Sequence, residues 1–174
     1  MANTYTLISS STVGAGGASS ISFTSIPSTY TDLKVVLSAR SSTSTNRFGS
    51  LGLRFNSATT NYSDKDIYGN GATAASQSNV YTASGYLYLG EVPSSTATAS
   101  TFGNVEVYIP NYTGATYKSI SVDSVQEDNQ TTAYATLVAG LWSSTAAITQ
   151  IDLYAITYNF LQYSTAYLYG IKNS

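Results

Sequence analysis

The chain contains no cysteine and no histidine, and only one methionine, one tryptophan and three prolines in 174 residues. Without cysteine there are neither disulfides nor thiolate metal sites, so the fold owes nothing to oxidation. Without histidine the commonest general base and the commonest imidazole ligand are both missing. A nucleophilic serine therefore lacks its usual partner. No S-x-x-K stands in a suitable context, and "GLWSS" lacks the second glycine of the G-x-S-x-G elbow.

Charge is scarce as well. Lys, Arg, Asp and Glu make up 9% of the chain, against about a quarter in an ordinary globular protein. The basic residues Lys34, Arg40, Arg47, Arg54, Lys65, Lys118 and Lys172 are scattered and the net charge is −2, which argues against a nucleic-acid partner. Arg40, Arg47 and Arg54 recur every seven residues, but the Gly/Ser/Thr-rich chain between them does not support a helix. No apolar run approaches a membrane span, and "MANTYTLISSS" lacks the basic segment and apolar core of a secretory signal. No membrane partner is expected.

What fills the space is hydroxyl and phenol: 28 Ser, 24 Thr and 16 Tyr, with 43% hydrophobic residues and 13% aromatics. Disordered chains are poor in aromatic and β-branched residues, so this one folds. Thr and Tyr suit pleated sheet better than helix. A surface of hydroxyls and phenols carries little repulsion and suits close packing against protein, and it would serve sugar binding equally well.

Strand-like runs recur along the chain between Gly, Ser, Asn and Pro clusters. In "YTDLKVVLSARSS" the alternation puts Leu33, Val35 and Leu37 inward, and in "SLGLRFN" it puts Leu51, Leu53 and Phe55 inward. "SSISFTSI" places Ile21, Phe23 and Ser25 on one face. The segment "FGNVEVYIPNYTGATYKSISVDS" reads as a hairpin, with Val105, Val107, Ile109, Ile120 and Val122 inward. Pro110 ends its first strand, Asn111 and Gly114 turn the chain, and Glu106 faces Lys118 across the pair. "TAYATLVAGLW" reads as a buried strand. No helical stripe, internal repeat or composition shift appears. The expectation is one all-β domain over residues 1–174, an antiparallel, jelly-roll-like β-sandwich of about 8–11 strands. Residues 1–17 form an extended N-terminal arm, and the polar residues 57–84 form a long loop excursion.

Candidate chemistry is sparse. The acids Asp32, Asp64, Asp66, Glu91, Glu106, Asp123, Glu127, Asp128 and Asp152 announce no facing pair, and exposed strand faces or turns account for them. In "YSDKDIYGNG", Asp64, Asp66 and Asn70 have the oxygen chemistry of a calcium loop, but the pattern lacks its glycine and terminal glutamate, and a polar turn reads better. Glu127 and Asp128 fall in a solvated loop. "GAGG" at 14–17 is a hairpin tip and not a phosphate loop. The sequons at Asn61, Asn111 and Asn129 are expected by chance in so Ser/Thr-rich a chain. Tyr86 with Tyr88, and Tyr167 with Tyr169, alternate as one-faced pairs for packing, stacking or contact, and Trp142 is expected in the core or at a subunit contact. No catalytic, metal or cofactor residues are assigned, and the chain does not read as an enzyme.

Three stretches, "FGNVEVYIPNYTGATYKSISVDSV", "AYATLVAGLWSSTAAITQIDLY" and "QYSTAYLYGIKN", together resemble a family of small virion structural proteins of tailed bacteriophages. Its members commonly open with a "YTLI" strand and close with an aromatic–Leu–Tyr–Gly–Ile strand. The similarity covers most of the chain and is best from Phe102 to Ile171. It implies a β-sandwich or jelly-roll protein assembled in the host cytoplasm and carried on the virion. Its expected role is a capsid decoration (cement) protein, with the major capsid protein and further copies of itself as partners and a homotrimer favoured. The alternative is a head or tail fibre tip that binds host-surface carbohydrate.

Overall fold

A computed structural model describes residues 4–81 and 85–172. The described chain contains strands and turns only. In order these are β1 (Tyr5–Thr12), β2 (Ser20–Phe23), β3 (Asp32–Ala39), β4 (Phe48–Phe55), β5 (Tyr62–Gly69) and β6 (Ala74–Tyr81). They are followed by β7 (Leu87–Pro93), β8 (Gly103–Ile109), β9 (Lys118–Gln126), β10 (Tyr134–Trp142), β11 (Ile151–Ala155) and β12 (Thr165–Ile171). Twelve strands exceed the expected 8–11, and every pairing is antiparallel.

They form a two-layer sandwich. The large sheet has the order β1-β12-β3-β8-β9-β10-β5-β6, and the small one β2-β11-β4-β7. With β5, β6, β9 and β10 set aside, the remaining order is β1-β12-β3-β8 over β2-β11-β4-β7. The chain changes layer at nearly every connection of that set. The four other strands extend one layer only.

The core lies between the sheets. Leu33, Val35 and Leu37 of β3 and Val105, Val107 and Ile109 of β8 face Leu51, Leu53 and Phe55 of β4 and Leu153 of β11, all buried as the alternation requires. At roughly 25 cal/mol per Å² of apolar surface, each such side chain contributes about 1.5–3 kcal/mol. Trp142 sits in this core, its ring 5.4 Å from Phe55 and stacked on Tyr62 at 6.4 Å. In the β8–β9 hairpin, Pro110 does follow the last residue of β8, and Asn111 takes a φ of 47° in the turn closed by the Gly114 N–H on its carbonyl.

Several expectations are corrected. Ser25 is exposed, and Ile26 takes the buried position. Tyr5–Thr12 of the expected arm is an edge strand, laddered along β12 from Tyr5↔Ile171 to Thr12↔Thr165. Much of the expected 57–84 loop is the hairpin β5–β6, paired from Tyr62↔Tyr81 to Gly69↔Ala74; residues 82–84 lie outside the described chain. Lys118 does not meet Glu106. It is buried and donates to the carbonyls of Gly114 and Thr116 at 2.7 and 2.5 Å, while Glu106 pairs with Lys34 of the neighbouring strand β3 at 2.6 Å.

The acids depart furthest from expectation. Asp32, Asp64, Asp66, Glu91, Asp128 and Asp152 are buried, six of the nine. Each needs partners, because an uncompensated buried charge is costly. Asp32 accepts from the Tyr108 hydroxyl and the Asn111 N–H, and Asp152 from Gln150 and Ser57. Asp128 pairs with Arg47. These carboxylates act as fasteners between strands and loops.

Candidate interaction face

The outer face of the large sheet departs from the usual apolar-in, polar-out pattern. Strand β10 buries Thr136, Val138, Gly140 and Trp142, and turns Ala135, Leu137 and Ala139 outward. Its neighbour β5 is inverted: Asp64 and Asp66 point in, while Lys65 and Ile67 point out. Leu137 and Ile67 are directly opposite each other in register and are 52% and 57% exposed. A strand that is apolar on both faces normally has both faces covered.

Around this pair the sheet is dished. Shallow depressions of about 690 and 630 Å³ lie to either side of Ile67 and Leu137, reaching Tyr68 and Asp123 on one side and Gln77 and Ser121 on the other. A smaller one of about 210 Å³ continues to Tyr5, Lys34, Glu106 and Tyr108. Further along, Tyr167 and Tyr169 of β12 stack at 6.5 Å. The charges here are few and partly neutralised. Lys34 is held above its ordinary pKa chiefly by its hydrogen bond to Glu106. An exposed pair of this kind contributes under about 1 kcal/mol.

The residues singled out in the sequence are otherwise placed as follows. Among the described residues no group of three or more acids gathers as a metal site, and Asp64, Asp66 and Asn70 do not form a loop. Asp64 and Asp66 lie on strand β5 with the Tyr88 N–H 3.5 Å from Asp64, and Asn70 turns the chain into β6 by accepting from the Thr73 N–H. Burial raises the Asp66 pKa. Gly14 to Gly17 make a tight turn closed by a 3.1 Å backbone bond. Asn61, Asn111 and Asn129 all hold positive φ, so their side chains serve turns, where Asn is tolerated best. Arg40 donates to the Thr98 and Ala97 carbonyls at 2.8 and 2.9 Å, pinning the turn after β7.

Tyr86 and Tyr88 both lie at Gly52 of β4, which is the cross-strand partner of Tyr88. The Tyr86 ring lies over Gly52 on the outer face of the small sheet, whereas the Tyr88 hydroxyl donates to Glu91 at 3.0 Å. Glu91 also accepts from Ser50 at 2.9 Å, and burial pushes its pKa up to about 7.

Sequence reasoning missed the exposed Ile67–Leu137 pair, because an outward apolar residue on a strand looks the same as an inward one until the register is known. No family model and no curated protein matches the chain.

Proposed function

We propose that the protein is a non-enzymatic structural component of a tailed-bacteriophage virion: a capsid decoration (cement) protein that binds the outer capsid surface as a symmetric oligomer and stabilises the head. The observation that carries this reading is the outer face of β10 and β5, which turns Leu137 and Ile67 to solvent while burying carboxylates behind them. Such a face suits a contact made on assembly. The alternation of strands between the two layers supports reading the eight-strand framework as a jelly roll, extended on one side by the β5–β6 hairpin and by β9 and β10. The similarity of Phe102–Ile171 to phage virion proteins supplies the setting.

The partners are the major capsid protein and further copies of this chain. A trimer at a local three-fold axis meets the capsid with the fewest distinct contacts, and cyclic symmetry closes without leaving a free surface. A surface poor in charge allows close approach of like copies.

The test is addition of the purified protein to capsids stripped of it, with mass photometry of the free protein. Capture in hundreds of copies per particle, and a trimer in solution, are the expected results. Only monomer at micromolar concentration together with no capture would end the proposal. A few dozen copies or fewer would assign the chain to a head or tail appendage.

A further inference from the structure

On the outer face of the small sheet, opposite the face just described, three tyrosines and an arginine enclose a cleft of about 260 Å³. Its lining includes Ser19, Arg54, Tyr86, Tyr154, Thr157 and Tyr158. Tyr154 of β11 is opposite Gly52 of β4 in register. Because Gly52 has no side chain, the Tyr86 ring lies directly on the sheet there; a Cβ at residue 52 would come within 3.1 Å of it. Arg54 stands two residues further along the same strand face.

Arg54 is the unusual member. Asp152 is its cross-strand neighbour, yet among the described residues no carboxylate lies within 4 Å of its guanidinium. Asp152 is engaged instead by Gln150 and Ser57. The guanidinium is turned into the cleft. Its Nε donates to the Gly85 carbonyl at 2.6 Å, and its carbon lies 4.9 Å from the centre of the Tyr154 ring. Those two contacts fix the plane of the fork, and among the described residues neither terminal nitrogen has a hydrogen-bond partner, so both remain donors. A half-buried, preorganised arginine fork of this kind matches a carboxylate bidentately.

The rest of the lining defines what carries that carboxylate. Aromatic faces suit the C–H faces of a sugar ring, and the Ser19 hydroxyl matches a ring hydroxyl; the Thr157 hydroxyl donates to the Ile156 carbonyl and that of Tyr158 lies 3.4 Å from the Thr45 hydroxyl, so these two keep only their remaining lone pairs for a ligand. The cleft is smaller than the roughly 300–1,000 Å³ sites that enclose drug-sized ligands, so it fits one ring with its substituents and not an extended peptide.

We infer that the Arg54–Tyr86–Tyr154–Tyr158 cleft is a binding site for a carboxylated monosaccharide, of the hexuronic or nonulosonic acid class, such as ends or branches a bacterial surface glycan. Arg54 takes the carboxylate, and the tyrosine rings take the apolar face of the sugar. The site faces away from the Ile67–Leu137 surface, so it stands independently of how the protein is assembled: a particle-bound copy can hold its neighbours with one sheet and present the other.

The test is titration of the full chain with galacturonic, glucuronic and N-acetylneuraminic acids, with galactose as the uncharged control, read by calorimetry and saturation-transfer NMR. At least one acid should bind tenfold or more tighter than galactose, with saturation transferred from tyrosine ring protons to the ring protons of the sugar. Arg54→Gln should remove that preference while circular dichroism stays native. Tyr158→Ala, on the exposed rim, should weaken binding threefold or more, and it decides the matter if Arg54→Gln does not fold. No binding of any acid at millimolar concentration, equal binding of galactose, or unchanged binding by the folded variants would overturn the inference. Preference for a peptide α-carboxylate over all three sugars would overturn it too.

Discussion

The Asp128 carboxylate and the Arg47 guanidinium meet at 2.7 Å across a separation of eighty-one residues, and only one of the two is sealed from water. The Asp128 side chain is fully buried, whereas that of Arg47 is 40% exposed. Removing either partner leaves a different orphan. Arg47→Met strands a buried carboxylate and should cost about 3 kcal/mol, whereas Asp128→Asn leaves an arginine that water can reach and should cost about 1 kcal/mol. Urea unfolding of the two variants checks the order. Equal losses would mean that water reaches both ends alike.

Glu91 makes stability depend on pH in an uncommon direction. Its folded pKa is raised from 4.5 to about 7, because burial disfavours the charged form more than its bonds from Ser50 and Tyr88 favour it. Below about pH 4.5 both folded and unfolded chains hold the proton, and the group is neutral to stability. Between about 4.5 and 7 the unfolded chain releases the proton first, so stability falls as pH rises, by about 3 kcal/mol in total for this one group. Glu91→Gln mimics the protonated acid and should abolish that part of the slope, melting higher than the parent at pH 8 and no higher at pH 4. The buried Oε2, which has no hydrogen-bond partner among the described residues, is the natural seat of the proton.

Gly90 carries a backbone demand and a packing demand together. It sits beside the irregularity where β7 pairs with β4, at a φ of 96°, and a Cβ there would lie 2.4 Å from Ser124 Oγ. Gly90→Ala should cost more than about 2 kcal/mol by thermal denaturation. Ser124→Gly on that background should restore only part of the loss, since the strain in φ would remain.

Leu137 and Ile67 separate assembly from folding. Both are more than half exposed, so Leu137→Asp or Ile67→Asp should change the unfolding free energy by no more than about 0.5 kcal/mol. If the proposed contact uses this face, capture by capsids should fall at least tenfold. Undiminished capture would move the contact elsewhere on the protein.

Legibility in the sequence followed the chemistry of the inward positions. Where those positions are aliphatic, as at Leu33, Val35 and Leu37 or at Val105, Val107 and Ile109, alternation alone placed both strand and face correctly. β5 escaped because its inward residues include Asp64 and Asp66 and its outward ones include Ile67, the reverse of the usual code. β6, "AASQSNVY", escaped because small polar residues carry little periodic signal. The partner of Glu106 was misjudged because a hairpin suggests its own two strands as neighbours, whereas β8 also borders β3, seventy residues upstream, from which Lys34 reaches it. The Arg54 cleft draws on β4, β11 and the chain between 85 and 87, and only the register of the small sheet brings them together.

The pairing of β1 with β12 sets an order of events during synthesis. β1 is made long before β12, which is its strand partner among the described residues and is complete only once Ile171 has been added. Until then the nascent chain carries one edge with no template and another, on β3, with no cover. The large sheet therefore closes after translation of its last strand, at the rate of a search across nearly the whole chain. Over that interval exposed strand edges favour partners of any kind, and rapid synthesis of the stretch from β10 to β12 becomes a safeguard against aggregation.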